Sequence, residues 1–200
     1  MSAANSALAS GIGTLSWPHR VHCLSRPGTV RQDREVVDVR LVPVSASNWR
    51  SCAALRVHDE QRRWVADVTY YLCMCRYEDT WHPLAIEADA KVVGFLIWGV
   101  DDDASRWIGG LVIDAASQGR GIARAAVVEA VRQLVAQPGC TGIALSYAPD
   151  NVAARSLYSG LGFVETGETA DDDAELVSRL SVAGARQLAS NGDLSAPGGA

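Results

Sequence analysis

Residues 111–126 read Leu-Val-Ile-Asp-Ala-Ala-Ser-Gln-Gly-Arg-Gly-Ile-Ala-Arg-Ala-Ala. Trp107 to Ile113 is apolar and β-branched enough to predict a strand, and Ala123 to Ala136 repeats apolar residues at helical spacing. Between them stands Gln118-Gly119-Arg120-Gly121-Ile122-Ala123, so a strand delivers a glycine-rich turn to a helix N-terminus. Glycines leave the main chain open to close approach, and the first-turn N–H groups of a helix lack intrahelical acceptors. Such a turn holds an anion, a phosphate above all. Arg120 and Arg124 add positive charge beside it.

Two familiar phosphate signatures are excluded. A P-loop requires Lys and then Ser or Thr after its last glycine. Ile122-Ala123 occupy those positions, and the only lysine of the chain is Lys91. A dinucleotide fingerprint requires a third glycine where Arg124 stands, and no acidic residue ends a second parallel strand at the required distance.

The chain has the length of one domain, and a 48% hydrophobic content suffices for a core. A net charge of -5 argues against nucleic acid or an anionic membrane surface as partner and favours a cationic one. The longest apolar run, near Val92 to Val100, is strand-sized and too short to span a membrane. The first residues lack the compact apolar core of a secretion signal. Five cysteines form no disulfide framework, and Cys73 and Cys75 are followed by no second pair at zinc-ligand spacing. Cys52, Cys73, Cys75 and Cys140 are therefore expected to be reduced thiols in a cytoplasmic protein that uses no metal.

Working outward, residues 1–33 carry Ser, Gly, Ala, Pro and His without a period and are expected to be a disordered extension. Val36 to Val44 alternates as a first strand. Ser47 or Asn48 caps a short helix opening at Trp49, and Asp59 to Tyr77 is expected to be a second helix with Trp64, Val68, Tyr71 and Leu72 on one face. Pro83 to Glu87 and Val92 to Gly99 form a hairpin about Asp89-Ala90, and the Asp101-Asp102-Asp103 turn leads into the Trp107 strand. Pro138-Gly139 stops the central helix ahead of a buried strand, Gly142 to Tyr147. Asp150 or Asn151 caps a helix from Ala153 to Leu161, and Phe163 to Glu168 with Ala174 to Leu180 closes the fold as a hairpin around a second Asp triplet. Beyond residue 183 a loose tail is expected, leaving one domain over residues 34–182. Strands feeding helices imply parallel pairing and hairpins imply antiparallel edges. The fold class is α/β (α+β), a mixed, mostly antiparallel six- to seven-stranded sheet flanked by about four helices.

The residues at the turn resemble the acyl-CoA-binding motif of the GCN5-related N-acetyltransferase (GNAT) superfamily, Arg/Gln-x-x-Gly-x-Gly/Ala, through Gln118, Gly121 and Ala123. The Leu-x-Val that precedes it in the family is matched by Leu111 and Ile113. The family's Asn, with Tyr seven residues later and then Leu-Gly-Phe, is matched by Asn151, Tyr158 and Leu161-Gly162-Phe163. The resemblance covers about residues 36–181. Leu41-Val42-Pro43-Val44, Asn48-Trp49, Glu60-Gln61 and Leu145-Ser146-Tyr147 resemble the bacterial spermine/spermidine acetyltransferase-like branch.

The resemblance implies an acyl-CoA N-acyltransferase-like fold and an acetyl-CoA-dependent N-acetyltransferase, with direct attack of a small-molecule amine, in one reading a polyamine, on the thioester. Acetylation of a protein amine or an aminoglycoside, and acyl-CoA binding without turnover, stay open as alternatives. By the same resemblance the main chain of Leu111, Val112 and Ile113 pairs with the pantetheine amides, and Gln118, Gly119, Arg120, Gly121, Ile122 and Ala123 cradle the pyrophosphate. Asn151 contacts CoA, and Tyr158 contacts it and protonates the departing thiolate. Polyamine-acetylating relatives carry a carboxylate two residues before the Leu-x-Val, where this chain has Gly109. The base is then a water chain or another carboxylate, with Glu78, Glu87 and Glu175 as unranked candidates, and an acidic cleft could come from Glu60, Asp67, Glu78 and Asp79. Relatives are often homodimers, which no feature of this sequence demonstrates.

Overall fold

The computed structural model describes residues 38–170 and 175–193. In chain order the elements are β1 (Val39–Pro43), α1 (Trp49–Ala53), α2 (Val68–Tyr77), β2 (Trp81–Ala88), β3 (Lys91–Val100), β4 (Arg106–Ile113), α3 (Ile122–Val135), β5 (Gly142–Tyr147), α4 (Val152–Ser159), β6 (Val164–Ala170), β7 (Glu175–Ser181) and α5 (Val182–Asp193), with short 3-10 turns at Asp59–Gln61 and Ala115–Ser117. The strands form one seven-stranded sheet in the order β1-β2-β3-β4-β5-β7-β6. Among the described residues only the β4–β5 pair is parallel.

The sheet is covered on both faces, which is why β3 is buried from Val93 to Gly99 except at Trp98 instead of alternating. On the back face Ala126, Val127, Ala130, Val131 and Leu134 of α3 pack against Leu96, Ile108, Ile143 and Leu145. On the front face Cys52, Leu55 and Val68 pack against Ala85, Phe95, Ile97 and Val112. Phe95 and Leu96 point to opposite faces and are both fully buried, each contributing about 2–3 kcal/mol of apolar transfer. The β2–β3 hairpin turns at Asp89 and Ala90 with φ of 52° and 58°, the paired left-handed geometry whose twist matches that of the strands.

The structure corrects several expectations. The helix expected from Asp59 to Tyr77 is broken: the 3-10 turn ends at Gln61, and Asp67, extended at ψ 142°, precedes a helix that starts only at Val68. Trp64 therefore lies outside the helix. Asn48 stands at the N-cap position of α1, but its side chain bonds back to the preceding turn, accepting from Ser45 N at 2.7 Å and donating to Pro43 O at 3.1 Å. The expected loose tail begins instead as α5, which packs on α3 and buries Ala185 completely, so five α-helices flank the sheet among the described residues. The N-terminal extension and the second Asp triplet lie outside the described residues. No helix among the described residues is long and apolar enough to cross a membrane.

Two irregularities of β4 prepare the site. Gly94 faces Ile113, Phe95 faces Val112 and Ile97 faces Gly109, so Leu96 alone opposes both Gly110 and Leu111. This is a β-bulge, and Gly110 takes its left-handed conformation at φ 55°. On the other side β4 pairs with β5 only through Arg106↔Ile143, Trp107↔Ala144 and Ile108↔Leu145. Beyond Ile108 the two strands part, and a gap opens between Gly109–Ile113 and Ser146–Tyr147.

Candidate active site

The glycine turn lies at the end of that gap. Gly119 and Gly121 have φ of 75° and 83°, and a Cβ at either would meet nothing within 4 Å. Backbone conformation, not crowding, demands glycine there, and the space in front of the turn is open. Among the described residues no acceptor meets any backbone N–H from Gly119 to Arg124; the first amide of the helix to bond is that of Ala125, to Gly121 O at 3.1 Å. Such a run of free donors at the positive end of α3 has the chemistry to hold an anion. Ile122 is buried and anchors the turn in the back core, while Ala123 is half-buried at its edge.

The side chains around the seat are less free than their sequence pattern suggests. Gln118 donates to Ile113 O at 2.9 Å and exchanges amide hydrogen bonds with Gln61 at 2.9 and 3.1 Å. Its side chain thus shapes the turn, leaving a ligand the main chain. Arg120 pairs with Asp89 at 3.3 Å on the exposed surface, a weak tie in water, and Arg124 donates to Gly160 O at 3.2 Å. Asp114 accepts from Ala116 N and Arg56 N, both at 3.1 Å, fixing the exit of β4.

Along β4, Asp114 N bonds back to Val93 O at 2.9 Å, so by strand alternation the main chain of Ile113 faces the gap. Its carbonyl is already occupied by Gln118. The side chains of Val112 and Ile113 are buried in opposite cores, and Val112, opposite Phe95, turns its main chain to β3, so of the two Ile113 alone offers its backbone to the gap. Tyr71 of α2 lies over the bulge, about 3.2 Å from where a Gly110 Cβ would stand.

On the other bank, Asn151 caps α4, its side chain accepting from Ala154 N at 3.1 Å. That helix carries Tyr158, only 7% exposed, with ring centroids 5.6 Å from Tyr147 and 6.0 Å from Phe163. Its hydroxyl has no hydrogen-bond partner among the described residues. Burial, and then the charges of Glu175 and Tyr147, push its pKa well above the ordinary phenol value, so it keeps its proton through the neutral range.

Over residues 45–163 the sequence matches the profile of the acetyltransferase (GNAT) family. The chain belongs to that family. No curated protein sequence matches this acetyltransferase significantly. Among solved structures it is similar to Mycobacterium smegmatis RimJ in complex with CoA-disulfide, with 24% identity, a TM-score of 0.61, and coverage of 77% of this chain and 89% of that one. An aminoglycoside acetyltransferase in complex with coenzyme A is 18% identical at a TM-score of 0.61, covering 75% of this chain and 98% of that one. Spermidine N-acetyltransferase from Vibrio cholerae, in complex with CoA and spermine, is 18% identical at a TM-score of 0.56, covering 71% and 93%. These likenesses show the fold, and the polyamine enzyme is one of several kinds of neighbour.

Other residues near the turn were given no part in the site by the sequence. Gln61 clasps Gln118 at the start of α3. Close by, Trp64 donates from Nε1 to Asp150 at 2.8 Å, and Arg63 pairs with the same carboxylate at 3.0 Å just ahead of α4. The segment that breaks the expected helix is therefore fastened to both banks of the gap. Glu60-Gln61 stood out only as a resemblance, and nothing in the spacing marks the Trp64–Asp150 pair. Glu60, Asp67, Glu78 and Asp79 are all exposed. Cys52 and Cys75 are thiols whose pKa burial raises to about 11, and Cys140 donates to Gly142 O at 3.5 Å. Among the described residues no group of three or more His, Cys, Asp or Glu side chains could hold a metal ion.

Proposed function

We propose that this acetyltransferase moves an acetyl group from acetyl-CoA to a primary amine of a small cationic molecule, a polyamine in the best-supported case, in the cytoplasm. The observation that carries the reading is the run of unpartnered amides from Gly119 to Arg124 at the head of a gap in the sheet, with the protonated Tyr158 buried beside it. The amides suit a diphosphate. The unpaired edge of β4 suits the amides of a pantetheine arm, which would satisfy backbone groups otherwise costly to leave unmade. A β4 N–H at the bulge polarises the thioester carbonyl as its oxygen gains charge, and Tyr158 donates its proton to the departing sulfur. The net charge of -5 favours a cationic acceptor, and a neighbour of the same fold is described with CoA and spermine.

The test is calorimetry with CoA followed by thiol release from acetyl-CoA across spermidine, an aminoglycoside and a lysine peptide. Turnover with spermidine whose Michaelis constant rises with salt supports the polyamine reading. Preference for another amine replaces the acceptor, and the absence of CoA binding overturns the reading.

A further inference from the structure

We infer that Glu175 is the group that takes the proton from the incoming ammonium, held in place by Ser146. The inference rests on the acetyl transfer proposed above and names the residue which that reading leaves open. Ile108 and Leu145 are the last residues to pair across β4 and β5, so Ser146 is the first residue of β5 in the gap. Its neighbours Leu145 and Tyr147 point into the back core, which turns Ser146 to the front face. On the adjacent β7, Leu176 also packs against the back core, and Glu175 is thereby turned to the front. There the Ser146 hydroxyl donates to its carboxylate. Opposite, β4 presents Gly109, which puts no side chain into the gap; a Cβ there would touch Ile97 and Trp81 at 3.4–3.7 Å.

The competing carboxylates are placed elsewhere. Glu87 lies on β2 and is paired with Arg40 at 3.1 Å, and Glu78 is exposed at the end of α2. Ser146 of β5 is hydrogen-bonded to Glu175, and Tyr158 of α4 lies close enough to feel its charge. Arg179, the cation on the same face of β7, is engaged by Asp103 at 3.4 Å and Glu168 at 3.0 Å. Among the described residues no cation pairs with Glu175, so its carboxylate is available to a proton.

The step balances as follows. Glu175 accepts one proton from the ammonium, and the neutral amine nitrogen forms a C–N bond to the thioester carbon. As the tetrahedral centre collapses the C–S bond breaks. The sulfur takes the proton of Tyr158, which is restored by the second proton leaving the nitrogen.

Glu175→Gln keeps an acceptor for the Ser146 hydroxyl while removing the base. With spermidine at neutral pH, kcat/KM is expected to fall about 100-fold with unchanged CoA affinity, and to climb with pH until the amine itself loses its proton. With an alkoxyamine, already neutral at that pH, the loss is expected to shrink to a few-fold, which a structural defect would not do. An unchanged spermidine rate, or equal losses for both acceptors, overturns the assignment to Glu175 alone. Wild-type protein that binds acetyl-CoA but releases no thiol with any amine overturns it together with the transfer reading.

Discussion

Gln61 and Gln118 exchange both of their side-chain amide hydrogen bonds, at 3.1 and 2.9 Å, tying the segment before α2 to the turn that opens α3. Gln61 Oε1 also accepts from His58 N at 3.1 Å, so one amide orders a 3-10 turn and the glycine turn together. Gln61→Leu removes the reciprocal pair and leaves Gln118 with one partner fewer. The expected cost is about 1 kcal/mol of stability by thermal denaturation, with CoA affinity weakened several-fold by calorimetry. Unaltered affinity would mean that the turn holds its shape without the clasp.

Gly121→Glu meets open space, so the expected damage is electrostatic and conformational. A side chain at φ 83° costs about 1–2 kcal/mol, and the added carboxylate repels a diphosphate. CoA affinity should drop at least about tenfold, while Gly121→Ala, strained without the charge, should lose less. Equal losses in the two variants would show that the turn's shape, and not its charge, governs binding.

Tyr158→Phe is expected to lower turnover about 100-fold with little change in CoA affinity, since the hydroxyl has no hydrogen-bond partner among the described residues to lose. The ring also has a stability signature. Its folded pKa lies above the unfolded value near 10, so its contribution is fully present below pH 10 and declines as pH rises beyond it toward the raised folded value. Thermal melts above pH 10 should therefore fall less steeply in Tyr158→Phe than in the wild type.

Cys52 is fully buried with its thiol pushed up to about 11, and Cys73 is exposed on α2. Treatment of the native protein with an alkylating reagent at about pH 8 should label Cys73 well before Cys52, as read by peptide mass spectrometry. Early labelling of Cys52 would show that α1 opens locally.

The central strand, turn and helix were legible because three signals coincide between Trp107 and Ala136: an apolar run, glycines where φ must be positive, and helical periodicity. Gly142 to Tyr147 was read residue for residue because its apolar run is bracketed by strong turn formers. α5 was not, since Gly184 and polar residues dilute its pattern; it forms where α3 offers a surface for Ala185 and Leu188. Gly184 fits closely there, as a Cβ would come within 2.9 Å of Leu180 Cδ1. The break before Val68 was hidden because residues 62–67 contain no glycine or proline. What ends the helix is the tertiary attachment of Trp64 and Arg63 to Asp150, more than eighty residues away. At the site, the turn could be found from its glycines, and Tyr158 was named through the family resemblance. The Ser146–Glu175 contact could not, because β5 and β7 meet only after the chain has passed through α4 and β6.

The short β4–β5 ladder makes the free protein two half-sheets spliced over three residue pairs. A ligand lying along β4 would supply the missing rungs, so its occupancy should be felt far from the chemistry. Amides of Ser146 and Tyr147 should exchange faster without it, and proteolytic lifetime should lengthen as acyl donor accumulates. The same break in the sheet that admits a substrate would thereby couple the survival of the molecule to the supply of what it consumes.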